Sequence, residues 1–175
     1  MNLLKAVASV GLIAFSAMAY SNDSERGLDF GFTPDEYADR FNGHMTQFGM
    51  PFSLDASISD EEVDDQAVFG SVFLDTVSIL GTADPDSKLV NHLVMNGTGD
   101  GTEESGEFII VMFSIAIASL DPGEMTDEPL VMLLGLVDDM KSSPDSTASI
   151  VVEGISFSAS NSPYTGVMLT VSPAE

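Results

Sequence analysis

The chain has 175 residues, of which 28 are Asp or Glu and only 5 are Lys or Arg, giving a formal charge of −23 at pH 7. A field of this sign repels nucleic acid and anionic membrane surfaces, and it attracts cations and basic proteins. The absence of cysteine excludes thiol catalysis, thiolate metal sites and disulfides. Because 44% of the residues are hydrophobic and follow regular patterns, the acidity does not indicate a disordered chain.

Residues 1–19 have the three parts of a cleavable secretory signal peptide. Lys5 supplies a basic start, Ala6 to Phe15 form an apolar stretch, and Ala17-Met18-Ala19 has the small-x-small pattern of a cleavage site. The apolar stretch is shorter than the ~20 residues that span a bilayer. We therefore predict cleavage before Tyr20, no membrane insertion afterwards, and a periplasmic or secreted protein of a bacterial host. Loss of Lys5 takes the formal charge from −23 to −24.

Residues 20–32 are predicted to be a flexible lead-in, and residues 33–175 a single domain. The domain opens with a helix predicted over residues 34–48. Thr33 suits its N-cap and Glu36 completes a capping box. Large apolar residues then recur at helical spacing, which predicts one buried face: Tyr37, Phe41, Met45 and Phe48.

Four strands are predicted to follow the first helix. Residues 52–58 alternate apolar and polar side chains, which predicts a half-buried strand. Residues 67–80 are rich in β-forming residues, with bends expected at Gly70 and Asp75. Residues 76–95 are predicted to form a hairpin that ends with the fourth strand.

Two helices and three strands are predicted for the rest of the chain. Residues 108–120 are almost wholly apolar, so a helix there must be buried on nearly all sides. Thr126 is the expected N-cap of the next helix. Glu153-Gly154 is a two-residue turn within a closing β-meander. The order α-ββββ-αα-βββ predicts an α+β, two-layer sandwich: an antiparallel sheet of about seven strands packed by three helices.

No catalytic motif survives a search of this sequence. His44 and His92 have no second histidine at metal-ligand spacing, and no nucleophile elbow or zincin motif occurs. A pair of carboxylates in a hydrolase remains a third hypothesis. The chain has no Trp and only three Tyr, which leaves little to stack on a sugar ring.

One loop has the spacing of a calcium site. Asn96, Thr98 and Asp100 take positions one, three and five of a twelve-residue segment that ends at Glu107, and Gly101 is at position six. This is the ligand order of an EF-hand. These residues therefore form a candidate calcium site, which would make the protein a calcium-dependent binding module.

The same loop departs from the EF-hand pattern in three ways. Position one is Asn rather than Asp, Glu103 stands where an apolar residue is usual, and the preceding segment is predicted as a strand. The alternative is an ordinary strand-to-helix loop with Ser105 as the N-cap of the following helix.

The leading hypothesis is an exported, strongly acidic, non-enzymatic interaction protein. Its partner would be a basic exported protein, which it neutralises in the manner of an immunity or inhibitor protein. Asp100 to Glu107 is one candidate contact loop, and the other consists of acidic side chains within residues 60–65: Asp60, Glu61, Glu62, Asp64 and Asp65. Adaptation of the surface to salty surroundings is the alternative origin of the charge. The sequence does not indicate an oligomeric state.

Overall fold

A computed structural model describes residues 28–58, 66–123 and 125–174. The predicted signal peptide and most of the predicted lead-in lie outside these residues. The described elements are α1 (Pro34–Gln47), β1 (Ala67–Phe73), β2 (Val77–Ala83), β3 (Val90–Gly97), α2 (Glu103–Ala118), α3 (Glu128–Ser142), β4 (Thr147–Val152), β5 (Ile155–Ser162) and β6 (Gly166–Pro173). The predicted α+β class with three helices is confirmed, and the described strands number six rather than about seven.

The six strands form one antiparallel sheet in the order β1-β2-β3-β6-β5-β4. Each half is a three-stranded meander, and the two halves join where β3 pairs with β6. Gly166 begins β6 at this junction with a φ of 76°, and a Cβ there would collide with the backbone oxygen of Gly97. Gly166 therefore allows the two halves of the sheet to approach closely, and the missing Cβ of Gly97 makes room for Ile109 of α2.

The predicted strand over residues 52–58 is wrong, although its alternation describes the burial of residues 52–57 correctly; the last apolar residue, Ile58, is exposed. Phe52, Leu54 and Ala56 pack against the core, as a period of two requires. The backbone of this segment bonds to side chains instead of to a neighbouring strand: Leu54 is held by the amide of Asn42, and Asp55 N–H donates to Ser71 Oγ at 2.8 Å. Alternating burial indicates an extended chain at the edge of a core, and it does not by itself establish a β-ladder.

The core lies between the helices and one face of the sheet. The predicted apolar helix is confirmed as α2, which begins at Glu103 and carries fully buried side chains such as Met112 and Ile115. Sheet residues that point at this layer, such as Met95 and Leu169, are equally buried. None of the helices in the described part of the chain is long and apolar enough to cross a membrane.

Helix α1 begins as the sequence predicts. Thr33 N–H donates to Glu36 Oε2 at 2.8 Å and Glu36 N–H donates to Thr33 Oγ1 at 3.3 Å, which is a complete capping box. The described end of the predicted lead-in packs on the domain. Phe30 N–H donates to the carbonyl of Val90, and the ring of Phe32 is buried. The packed part of the chain therefore starts before Thr33.

Candidate functional site

The loop between β3 and α2 is organised as a helix cap. Asp100 Oδ1 accepts hydrogen bonds from Thr102 N–H at 2.9 Å and from Thr102 Oγ1 at 2.6 Å. Thr102 Oγ1 in turn accepts from Ser105 N–H at 3.2 Å, so Thr102 is the N-cap of α2. The alternative assignment of Ser105 as the N-cap is therefore wrong. The Ser105 hydroxyl accepts from the Asp100 N–H at 3.2 Å.

These hydrogen bonds have an electrostatic consequence. The donors on Thr102, first its hydroxyl and then its N–H, together with the Ser105 hydroxyl, lower the pKa of Asp100 from 3.8 to about 2. Glu103 and Glu104 follow in the first turn of α2, near the positive end of the helix dipole. The hydrogen bonds therefore favour the ionised form of the Asp100 carboxylate.

The other candidate calcium ligands lie apart from this cap. The Asn96 amide, oriented with its nitrogen toward β6, donates to the carbonyls of Thr165 at 2.8 Å and Val167 at 3.2 Å. Thr98 Oγ1 also donates to the Thr165 carbonyl, at 3.2 Å. Both side chains thus attach the loop to the β5–β6 turn. Glu107 is an exposed residue within α2.

The described residues contain no group of three or more His, Asp or Glu side chains that could hold a metal ion. Of the four candidate ligands, Asn96, Thr98 and Asp100 are therefore engaged in structural contacts, and Glu107 is an exposed carboxylate. Asp100 is the candidate ligand whose carboxylate faces the loop. The main physical role visible for this segment is to begin α2 and to fasten it to the sheet.

Exposed acidic side chains are distributed over the described surface. The candidate contact residues Asp60 to Asp65 lie outside the described residues. Among the described carboxylates, all are exposed except those of Asp29 and Asp84, which are half-buried. The guanidinium of Arg40 is occupied inside the fold, 4.8 Å from the centre of the Phe32 ring and bonded to the Leu120 carbonyl at 3.2 Å. Lys88 and Lys141 are exposed.

The two histidines lie on different elements. His44 is buried on the packed face of α1, and His92 lies within β3, where burial lowers its pKa and keeps it neutral. Tyr37, whose burial raises its pKa, donates its hydroxyl to the Ala116 carbonyl at 3.0 Å. The Tyr37 hydroxyl thus connects α1 with α2 inside the core.

Sequence reasoning missed a further feature, the outer edge of the sheet at β4. This strand is last in the sheet order and carries three exposed hydrophobic residues in a row: Ile150, Val151 and Val152. The strand itself contains no charged residue, whereas Asp145 and Glu153 flank it. The run Ile-Val-Val before a Glu-Gly turn was visible in the sequence, but only the strand order shows that it lies at an edge.

The face of the sheet away from the helices is rich in hydroxyl groups next to this edge. Cross-strand neighbours there include Ser149, Ser158 and Thr170 in one row, and Val151, Ser156 and Ser172 in the next. The half nearer β1 carries larger apolar side chains in equivalent positions, such as Leu80 and Val94. The β4 side of the molecule is therefore both more open and more polar on this face.

No protein-family model, curated protein or solved structure matches this chain. What indicates a function is therefore the chemistry of the surface that the chain itself presents.

Proposed function

We propose that this chain is an exported, strongly acidic, non-enzymatic interaction protein that binds and neutralises a basic exported protein. The observation that supports this proposal is the exposure of nearly all described carboxylates on a chain that carries 28 of them and 5 basic residues. A surface with this charge accelerates its encounter with a basic partner and disfavours acidic ones.

The titration behaviour of the carboxylates supports binding rather than catalysis. A general acid needs a raised pKa, usually produced by burial or by a second carboxylate close by. At Glu36, Asp55 and Asp100 the pKa is lowered, because N–H or O–H donors stabilise the ionised form. These three carboxylates are therefore suited to an acidic binding surface rather than to the role of a general acid.

Export is tested by the mature N-terminus. Mass spectrometry of the protein recovered from the periplasm or medium of its host should show Tyr20 as the first residue, because Ala17 and Ala19 form the predicted cleavage pattern. An Ala19→Arg variant should remain uncleaved. A native chain that keeps Met1 and stays in the cytoplasm would contradict the proposal.

Binding is tested with the partner isolated from the same compartment. The tagged mature protein should retain, at low salt, a protein of high isoelectric point. After purification of that partner, its association rate should fall steeply between about 50 and 500 mM salt while dissociation changes less. Retention only of neutral or acidic proteins, or an association rate that ignores salt, would leave salt adaptation as the explanation of the charge.

A calcium-dependent module is the second candidate, because the ionised Asp100 faces a loop with EF-hand spacing. If calcium binds there, it should raise the melting temperature more than magnesium does, and Glu107→Ala should abolish the difference. Equal effects of the two cations would indicate screening of the surface charge. In that case the loop is only the start of α2.

A further inference from the structure

Hydrogen-bonded and non-hydrogen-bonded residue pairs alternate along the β4–β5 pair, and this alternation shows which backbone groups of β4 have no partner on β5. Val152 and Ile155 flank the two-residue turn Glu153-Gly154, whose φ angles of 51° and 78° are typical of a type I′ turn. The flanking pair of such a hairpin exchanges hydrogen bonds, and bonded pairs recur at every second residue. In agreement, Asn161 N–H donates to the Ser146 carbonyl at 2.9 Å.

The remaining residues of β4 direct their backbone N–H and C=O groups away from β5. These are Thr147, Ser149 and Val151, and no other strand of the described part of the chain pairs with this side of β4. The edge thus presents three donors and three acceptors at the spacing that another strand requires. Such a row is a template for strand addition.

The side chains of β4 give this edge no protection. Natural sheets block exposed edges with charges, prolines or bulges, and β4 has none of these within Thr147–Val152. The exposed fractions are 61% for Val151, 43% for Ile150 and 37% for Val152. A strand added here would bury apolar surface on both faces of the sheet as well as satisfy the backbone.

The charges at the ends of β4 favour a basic segment over a second copy of the chain. Asp145 precedes the strand and Glu153 follows it, and both carboxylates are exposed. Antiparallel self-pairing centred on Ser149 would place the Asp145 end of each copy against the Glu153 end of the other. Like charges facing each other across strands are destabilising, and the overall charge of −23 adds to that repulsion.

We propose that β4 is the docking strand for an extended segment of a basic partner. The segment has uncharged, β-forming residues opposite Thr147–Val152 and a Lys or Arg at each end, near Asp145 and Glu153. This assignment rests on the proposed function and names the surface that performs it. Backbone hydrogen bonds supply affinity, and the two terminal carboxylates select the charge of the ligand.

The probe is a nine-residue peptide with alternating Val and Thr at its seven inner positions and Lys at both ends. Titrated into isotope-labelled mature protein, it should shift the backbone amide signals of Thr147, Ser149 and Val151 first. Ser149→Pro removes an outward N–H and leaves the β4–β5 bonds intact, so it should weaken binding at least about tenfold. Ser149→Ala, which keeps the N–H, should bind as the native chain does.

A second pair of variants separates the role of charge from folding. Asp145→Asn with Glu153→Gln should weaken binding of the lysine-ended peptide at low salt and leave a glutamine-ended peptide unaffected. The melting temperature of each variant reports whether it is folded. If Ser149→Pro does not fold, Val151→Lys provides an independent way to block the edge. Equal binding by the native chain, Ser149→Pro and Val151→Lys would overturn the proposal.

Two further outcomes also contradict the docking strand. Absence of amide shifts on β4 with peptide at about millimolar concentration would show that the edge does not accept a strand. Sedimentation showing a dimer of the native chain that Ser149→Pro dissociates would assign the edge to a second copy. If the edge fails these tests while a basic exported protein still binds with strong salt dependence, the proposed function stands and its surface lies elsewhere. If no basic partner binds at all, the function itself is wrong.

Discussion

The two outer strands of the sheet, β1 and β4, occupy equivalent places in two similar halves and differ in how they are covered. Beside β1 runs the cover segment, residues 50–58, which bonds to Ser71 and packs Phe52 against Phe73 at 6.0 Å between ring centroids. On the other side Phe73 stacks on Phe41 at 5.8 Å. β4 has α3 above it but, among the described residues, no comparable segment beside it, and its side chains Ile150, Val151 and Val152 are exposed.

Chain length before each strand explains this difference. The segment between α1 and β1 comprises residues 48–66, and its described part, residues 50–58, runs along the sheet edge. Only residues 143–146 connect α3 to β4, and they are used to reverse the chain. A repeated layout of helix and meander can therefore close one edge and leave the other open, and the open edge is the one available for a partner.

The largest expected effect is on the closed edge. Phe73→Ala should lower the free energy of unfolding by about 3–5 kcal/mol, because it empties a site that is only 3% exposed between two aromatic rings. Ile150→Ala on the open edge should cost less than about 1 kcal/mol. Urea denaturation of both variants measures the difference. Similar losses would mean that β4 is packed in solution as well as β1.

Local chemistry made most of the fold predictable. Thr33 and Glu36 predicted the start of α1, and the unbroken apolar run predicted a buried α2. Glu153-Gly154 predicted a two-residue turn, which the positive φ values of both residues confirm. The strand predicted over residues 52–58 was wrong because an alternation of buried and exposed residues does not identify the hydrogen-bond partners of the backbone. Its partner, the amide of Asn42, lies on a helix and is outside any short-range pattern.

The candidate site was less predictable for a related reason. Charge is countable from sequence, so the acidic surface was expected, but the residues within 60–65 proposed as its contact lie outside the described residues. The edge at β4 depends on strand order, and the direction of its free N–H groups depends on register. Both are long-range properties that a hydrophobic pattern does not determine. For the loop at residues 96–107, the EF-hand spacing was visible in the sequence, but the hydrogen-bond partners of Asn96, Thr98 and Asp100 were not.

A smaller effect is expected from loosening the cover segment. Asn42→Ala removes both hydrogen bonds to Leu54, at 2.7 Å to its N–H and 3.2 Å to its carbonyl, and leaves a half-buried backbone without partners. The loss should be about 1–3 kcal/mol. Amide hydrogen exchange should accelerate at residues 50–58 and along β1. The exchange rates of β1 should then approach those of the exposed edge strand β4.

Gln47→Ala provides the control for that experiment, because Gln47 is exposed on the same helix. It should leave exchange in the cover segment unchanged. If Asn42→Ala lowers stability but exchange rises uniformly over the domain, the two edges are not independently protected and the contrast between them fails.

The smallest expected effect concerns how the two helices that follow β3 begin. α2 starts with Thr102 capped through Asp100, whereas Asp127 at the start of α3 makes no side-chain capping bond. Because hydrogen bonds lower the Asp100 pKa from 3.8 to about 2, its ionised form stabilises the folded chain above about pH 4, and this stabilisation is lost as the pH falls toward 2. The Thr102 and Ser105 amide signals should therefore move with a midpoint near pH 2. Asp100→Asn should abolish that step, and Asp127→Asn should preserve it. A step that survives Asp100→Asn would show that another acidic group controls the start of α2.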